Sequence, residues 1–307
     1  MLFAFFVLVG MSQQVISNKF LETRGVSCGR LLESASYADA DVVEEWAVLL
    51  LEKMQSTGAA RTIAQNKQAF EDGWSENLNA VLRGEVSAES LKPRYYRPSR
   101  VMRLNKRLIV SDEENLEYEL FVLVRRWLFR EFISDCGAVV EYGCGSCGNL
   151  LLLSEMFPGL ELLGLDWAQS SVEIAELIAR EKQVAISGRL FDMRDPPVSL
   201  EHADDAAFLT VHALEQLGRD FQPLLAHLVA SKPKKVIHLE PIVELYDPTN
   251  LYDYLALSYS KRRGYLDGFL EALRKLEADG VIKILFVERP FIGGVFHESS
   301  VIVWEPL

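Results

Sequence analysis

The residues with the most chemistry in them lie within "VVEYGCGSCGNLLLL", Val139 to Leu153. Two readings share this stretch. Gly143, Gly145 and Gly148 spell G-x-G-x-x-G, a loop that lets a cofactor approach the backbone where a Cβ would collide. Cys144 and Cys147 spell C-x-x-C, a redox or metal pair. A tetrahedral zinc site needs two further ligands. The sequence offers neither a second C-x-x-C nor a nearby histidine pair, so the cysteines read as small residues in a tight turn. A redox pair at a helix N-terminus stays open.

Carboxylates accompany the glycines. Glu141 stands two residues before Gly143, and Asp166 and Asp192 follow later apolar runs. Such acids, at the carboxyl ends of parallel strands, face the crevice where open α/β sheets bind ligands. The elements that would carry them are legible from the hydrophobic pattern. Up to about residue 134 the pattern is helical. "DADVVEEWAVLLLEKM" is an acid-capped amphipathic helix stopping at Gly58, "AARTIAQNKQAFEDGWSENLNAVLRG" continues it, and "DEENLEYELFVLVRRWLFREFI" is a second long helix. Between them "LKPRYYRPSRVMRLNKRLIV" reads as an extended loop.

From residue 135 onward the period changes. Strand-like runs ("AVVEYG", "LELLGLDW", "SGRLFDM", "AAFLTVH", "KKVIHLEP") alternate with helical stretches, and one long helix is expected from Leu251 to Leu276. That alternation predicts a parallel sheet covered by helices on both faces. "VIKILFVERPF" and "SSVIVWEPL" are separated only by "IGGVFHE", too short for a crossover, so these two strands must be antiparallel. The chain is thus expected to be α/β, with residues 1–134 a helical extension or cap and residues 135–307 a ligand-binding domain.

Dinucleotide and methyl-donor folds both place a glycine loop after the first strand, so the loop alone does not separate them. The set of features does. "VVEYGCGSCGNL", "LLGLDW", "RLFDM" and "FLTVHALEQL", in that order and followed by a terminal hairpin, resemble the four motifs of the class I S-adenosylmethionine-dependent methyltransferases, over roughly Cys136 to Leu307. The resemblance implies a Rossmann-like seven-stranded methyltransferase sheet with a terminal antiparallel hairpin, and S-adenosyl-L-methionine as cofactor. It implies cofactor contacts from Glu141, Gly143, Cys144, Gly145 and His212. It also implies Asp166 at the ribose hydroxyls, Trp167 against the adenine, and Asp192 with the Met193 backbone at the adenine amine. One departure is that the family often carries glycine where Cys147 stands, which leaves the role of Gly148 in doubt.

The acceptor side is nominated by position beyond the strand ends. His212 is the expected base, with Glu215 or Glu240 as partner and His297 as the alternative. The loop holding Arg289, Phe291, Phe296 and His297 lies on the same face, and an arginine of Tyr95–Arg103 is expected at the cofactor carboxylate. Absence of an N/D-P-P-Y/F motif after the fourth strand argues against amide-type N-methylation. The acceptor is expected to be a small molecule, such as a sugar or secondary metabolite. A nicotinamide-dependent oxidoreductase and a non-catalytic interaction module are the competing classes.

Composition limits the partners. The 307 residues carry a net charge of −12, which disfavours nucleic acid. Four cysteines are too few for a disulfide framework and suit a reducing, cytoplasmic setting. "MLFAFFVLVGM" lacks a basic n-region and is too short to span a bilayer, so no membrane partner is expected; it is a candidate homodimer contact.

Overall fold

The computed structural model describes residues 16–56 and 62–307. The apolar N-terminal stretch, with its homodimer and membrane expectations, and the helix stop at Gly58 lie outside them. No helix among the described residues is long and apolar enough to cross a membrane.

In chain order the elements are α1 (Lys19–Glu22), α2 (Gly29–Leu32), β1 (Ser36–Tyr37), α3 (Ala40–Ser56), α4 (Ile63–Arg83), β2 (Val101–Leu104), β3 (Arg107–Val110), α5 (Leu116–Phe132), β4 (Ala138–Tyr142), α6 (Gly148–Met156) and β5 (Glu161–Asp166). There follow α7 (Gln169–Lys182), β6 (Ile186–Leu190), β7 (Ala206–Val211), α8 (Gln222–Ser231), β8 (Lys235–Glu240), α9 (Leu251–Arg263), α10 (Phe269–Ala278), β9 (Ile282–Glu288), β10 (Ile292–Gly293) and β11 (Ser300–Pro306). Seven strands form one sheet in the order β6-β5-β4-β7-β8-β11-β9. β4 through β8 are parallel to one another, and β11 runs antiparallel to both β8 and β9.

Alternation along the strands divides the core. Ala207 and Leu209 of β7 join Val139 and the apolar faces of α5, α6 and α7 on one side of the sheet. Phe208 joins Val140, Tyr142 and residues of α8 and α10 on the other. Every residue of β7 is buried, as expected of a central strand covered on both faces.

The structure corrects two expectations. Residues 101–110, read as loop, form the hairpin β2–β3. Asn105 (φ 52°) and Lys106 (φ 64°) both take positive φ, giving the two-residue turn whose twist suits a hairpin. With β1 and β10 the hairpin makes a second, four-stranded sheet, so the N-terminal part is stitched to the loop between β9 and β11. The long helix expected from Leu251 to Leu276 is broken instead. Gly264 (φ 65°) ends α9 and Gly268 (φ 82°) precedes α10, while Leu266 between them is buried and donates its N–H to the Glu215 carbonyl at 3.0 Å.

Candidate active site

The first loop is shaped by three left-handed residues. Gly143 has φ 73°, and a Cβ there would fall 2.4 Å from that of Ala213. Gly145 has φ 53°, and a Cβ would meet the Trp74 ring at 2.7 Å. The third is Cys147 (φ 60°), N-cap of α6, at the position where the resembled family often has glycine. Gly148 needs no positive φ, and a Cβ there would make only ordinary contact with Leu91 O at 3.5 Å. The turn is therefore displaced by one residue, and the third glycine is not sterically required.

Asp166 locks this loop to the second strand. One carboxylate oxygen accepts from Gly145 N at 2.9 Å and the other from Ala168 N at 2.9 Å. Burial raises the carboxyl to about 6, against the pull of those amides. It is thus mostly ionised at neutral pH, with lone pairs left for hydroxyl donors.

Cys144 and Cys147 are buried free thiols, with their sulfurs 3.8 Å apart. The Cys147 thiol points to Ser171 O at 3.4 Å, and the contact with Cys147, together with burial, holds the Cys144 thiol well above its usual range. Among the described residues no group of three or more His, Cys, Asp or Glu could hold a metal ion.

Beyond β5 and β6 lies a cleft lined by Trp167, Phe191, Asp192, Met193, Phe70 and Trp74 among others. β6 ends at Leu190, so Asp192 and Met193 occupy the turn after it. Helix α4 lies across this cleft, which the sequence reading missed. Lys67 Nζ bonds Asp192 at 2.7 Å, and Glu71 accepts from Gln169 N at 2.7 Å and Ser170 N at 3.2 Å, at the start of α7. Burial alone would raise the Asp192 carboxyl; the Lys67 bond, the Arg194 N–H and the charges of Lys67 and Arg194 together hold it low. Lys67, Phe70, Glu71 and Trp74 sit at i, i+3, i+4 and i+7, one face of one helix, and that spacing was the available signal.

On the other side of the loop, Asn149 donates to Glu141 at 2.6 Å and accepts from Arg125 at 2.7 Å. Burial pushes Glu141 up to about 8. Its second oxygen and the Arg125 Nε are buried without hydrogen-bond partners. The arginine at this end of the cleft therefore comes from α5, not from Tyr95–Arg103. Arg103 instead enters a buried ion cluster with Asp253 and Glu298, and Arg100 faces Glu114 at 3.7 Å. Arg125 was legible as an arginine on the apolar face of α5, between Phe121 and Leu128. Tyr95 and Tyr96 do line the cleft.

The acceptor-side residues are grouped differently from expectation. His212 (φ 52°) shares a short hydrogen bond with Ser299 Oγ and stacks on Phe121 at 4.8 Å. Burial drops its ring to about 3, so it is neutral and weakly basic. Glu240 accepts from Ala213 N and Leu214 N at 3.0 and 3.1 Å and so fixes the turn after β7; burial raises it to about 7. Glu215 approaches His297 Nδ1 at 3.8 Å. Burial raises Glu215 to about 8 and lowers His297 to about 4, so this contact joins two neutral groups, not an ion pair. Arg289 belongs to the buried ion cluster, and Phe296 stacks on Tyr259 at 4.4 Å.

No protein-family model and no curated protein matches the chain. Among solved structures, the geranyl diphosphate C-methyltransferase of Streptomyces coelicolor A3(2), with Mg2+, geranyl diphosphate and S-adenosyl-L-homocysteine, is similar over 78% of this chain and 98% of that one, at 13% identity and TM-score 0.48. An O-methyltransferase from neocarzinostatin biosynthesis, in complex with S-adenosylmethionine and 2-hydroxy-5-methyl naphthoic acid, is similar over 78% of this chain and 70% of that one, at 15% identity and TM-score 0.40. A methyltransferase from Aquifex aeolicus is similar over 60% and 89%, at 16% identity and TM-score 0.40. The seven-stranded sheet, in the order β6-β5-β4-β7-β8-β11-β9 and with β11 antiparallel to both its neighbours, is the sheet that the sequence resemblance led us to expect.

Proposed function

We propose that the protein is an S-adenosylmethionine-dependent methyltransferase acting on oxygen or nitrogen of a small-molecule acceptor. The observation that carries this is the lock between Asp166 and Gly145, which presents an ionised acid beside a loop with no room for side chains. The cleft fits the cofactor in kind. Asp166 takes the ribose hydroxyls, Trp167 and Phe191 flank the base, and Asp192 and the Met193 backbone take its amine. Arg125, with its unpartnered Nε, takes the carboxylate, and Glu141, with its unpartnered oxygen, faces the cationic end. When bound, the cofactor supplies an activated methyl group on a sulfonium.

The chain's own work is alignment and, for an acceptor that carries a proton, its removal. His212, at about 3, is too weak a base for that; it holds the wall of the site through Ser299 and Phe121. Glu215, at about 8 and beside His297, is matched to proton transfer near neutral pH. Calorimetry with S-adenosylmethionine, S-adenosylhomocysteine and NAD tests the reading: the first two should bind and the third should not. Tight NAD binding, or no binding of the sulfur compounds, overturns it. With an acceptor in hand, Glu215→Gln should cost turnover about 10²-fold and His212→Ala less.

A further inference from the structure

Granted the methyltransferase reading, on which this rests, the cofactor must reach the glycine loop, and one side chain stands in its way. The atoms nearest to the missing Cβ of Gly145 are Cζ2, Cε2 and Cη2 of the Trp74 indole, at 2.7 to 3.0 Å. Gly145 itself lines the cavity at Arg125 and Glu141. Phe70, Trp74, Gly143 and His212 line both that cavity and the one at Trp167 and Asp192. A cofactor reaching from the Arg125 end to the Trp167 end therefore passes beneath the two rings of α4. The indole and the cofactor cannot share the space over Gly145.

Helix α4 is held unevenly. Toward its C-terminal end Val81 is buried, and buried Asn77 donates to the carbonyls of Ser90 and Lys92 at 2.9 and 3.0 Å. No residue from Thr62 to Glu76 is buried. That half rests on ring contacts, Phe70 with Trp167 at 6.0 Å and Trp74 with Tyr95 at 6.4 Å, and on two polar latches. One is Lys67 with Asp192 at 2.7 Å, their side chains 45% and 29% exposed; the other is Glu71 with the amides of Gln169 and Ser170. Ion pairs open to water are weak and reversible. The first turn carries its own cap: Thr62 Oγ1 accepts from Gln65 N, and Gln65 Oε1 accepts from Thr62 N. The half-helix can therefore lift without unravelling at its start.

We propose that α4 is a lid and Trp74 its plug: residues 63–74 lift about the Asn77 anchor to admit S-adenosylmethionine, then close with Phe70 and Trp74 over the bound cofactor. In the closed form the indole occupies the space that the glycine loop opens. The cleft takes ligand only when Lys67 and Glu71 release Asp192 and the start of α7. Release also frees the Asp192 oxygen that Lys67 holds, so that it can take the adenine amine. S-adenosylhomocysteine leaves by the same movement.

The test is stopped-flow tryptophan fluorescence of the full chain mixed with rising concentrations of S-adenosylhomocysteine. With a lid that opens first, the observed rate levels off at the opening rate. The double change Lys67→Ala, Glu71→Ala should raise that plateau about 5-fold. Trp74→Ala should raise it at least as far, with Trp167 in the cleft as reporter. The two variants act at separate contacts, and calorimetry with far-UV circular dichroism checks that each binds and folds. In hydrogen exchange, amides of residues 67–74 should exchange faster than those of residues 77–83, and S-adenosylhomocysteine should slow them. A wild-type rate that climbs linearly without levelling, a plateau that neither variant moves, or equal exchange along α4 overturns the lid alone. A wild type that fails to bind S-adenosylhomocysteine overturns the methyltransferase reading itself.

Discussion

Two buried charged regions lie in this molecule, and they are built on opposite principles. In the first, Arg103 and Arg289 meet Asp253 and Glu298. Arg289 grips Asp253 with two bonds of 2.6 Å, Arg103 approaches Glu298 at 3.2 Å, and short contacts join Arg103 to Asp253 and Arg289 to Glu298. Two cations face two anions, and the cluster ties the β2–β3 hairpin to α9 and to the segment between β9 and β11. Burial would raise Asp253, but the Arg289 bonds and Arg103 hold it at about 2. Around the cleft, burial outweighs the hydrogen bonds that the acids accept, and Glu141 and Glu215 rise to about 8, Glu117 and Glu240 to about 7. A closed set of charges holds structure together. An open one is a site that a ligand completes.

The sharpest way to break the comparison is to unbalance the closed cluster. Asp253→Ala leaves two guanidinium groups buried with one acid between them, and should cost about 3–5 kcal/mol of unfolding free energy in urea. Loss below about 1 kcal/mol would mean that the cluster is not the anchor described. Next in size is Asp166→Ala, which removes a charged acceptor from the cofactor side. It should weaken S-adenosylmethionine by about 1.5–3 kcal/mol in calorimetry.

The two regions should also respond oppositely to pH. Asp253 is depressed, so its contribution is present above about 4 and is lost as pH falls toward about 2. The cleft glutamates are raised, so theirs is present below about 4.5 and is lost as pH rises through 7 to 8. The ligand-free protein should therefore melt highest near pH 5 and progressively lower toward pH 8.5. Glu141→Gln should flatten that slope between pH 5 and pH 8.5, and a flat wild-type profile would contradict the charge assignment. The smallest effect is expected at the cysteines. Cys144→Ala should change S-adenosylmethionine affinity by less than about 2-fold, under reducing and oxidising conditions alike. Affinity that switches with dithiothreitol would make the pair functional.

How much of this was legible follows from what is local. The strands of the large sheet are short apolar runs bounded by turn residues, and the antiparallel final pair follows from loop length alone. The positions of Asp166, Asp192 and Glu141 follow from their places at or just beyond strand ends. What was not legible depends on partners distant in sequence. The β2–β3 hairpin has only an Asn105–Lys106 turn to announce it, and it is held by β1 and β10 from elsewhere in the chain. Arg103 stood among the arginines expected at the cofactor carboxylate because its partners, Asp253 and Glu298, are far from it in sequence. The pairing of Glu215 with His297, and of His212 with Ser299, depends on how the segment between β9 and β11 folds back. Lys67 and Glu71 share one face of α4 by spacing, but nothing local in the sequence says that this face lies against the cleft.

The position of β11 bears on how the molecule assembles. It follows β8 and β9 in the chain, yet it lies between them, pairing Trp304 with both Val236 and Ile284. β8 and β9 do not pair with each other, so β8 remains an open strand edge throughout synthesis of α9, α10 and β9. Nearest-neighbour growth of the sheet cannot proceed past β8 until residues 300–306 arrive. Such late, long-range closure slows folding, and it leaves an edge that other chains can pair with in the interval. Refolding yield should therefore depend steeply on protein concentration, and the period of greatest aggregation risk should end when this one strand inserts.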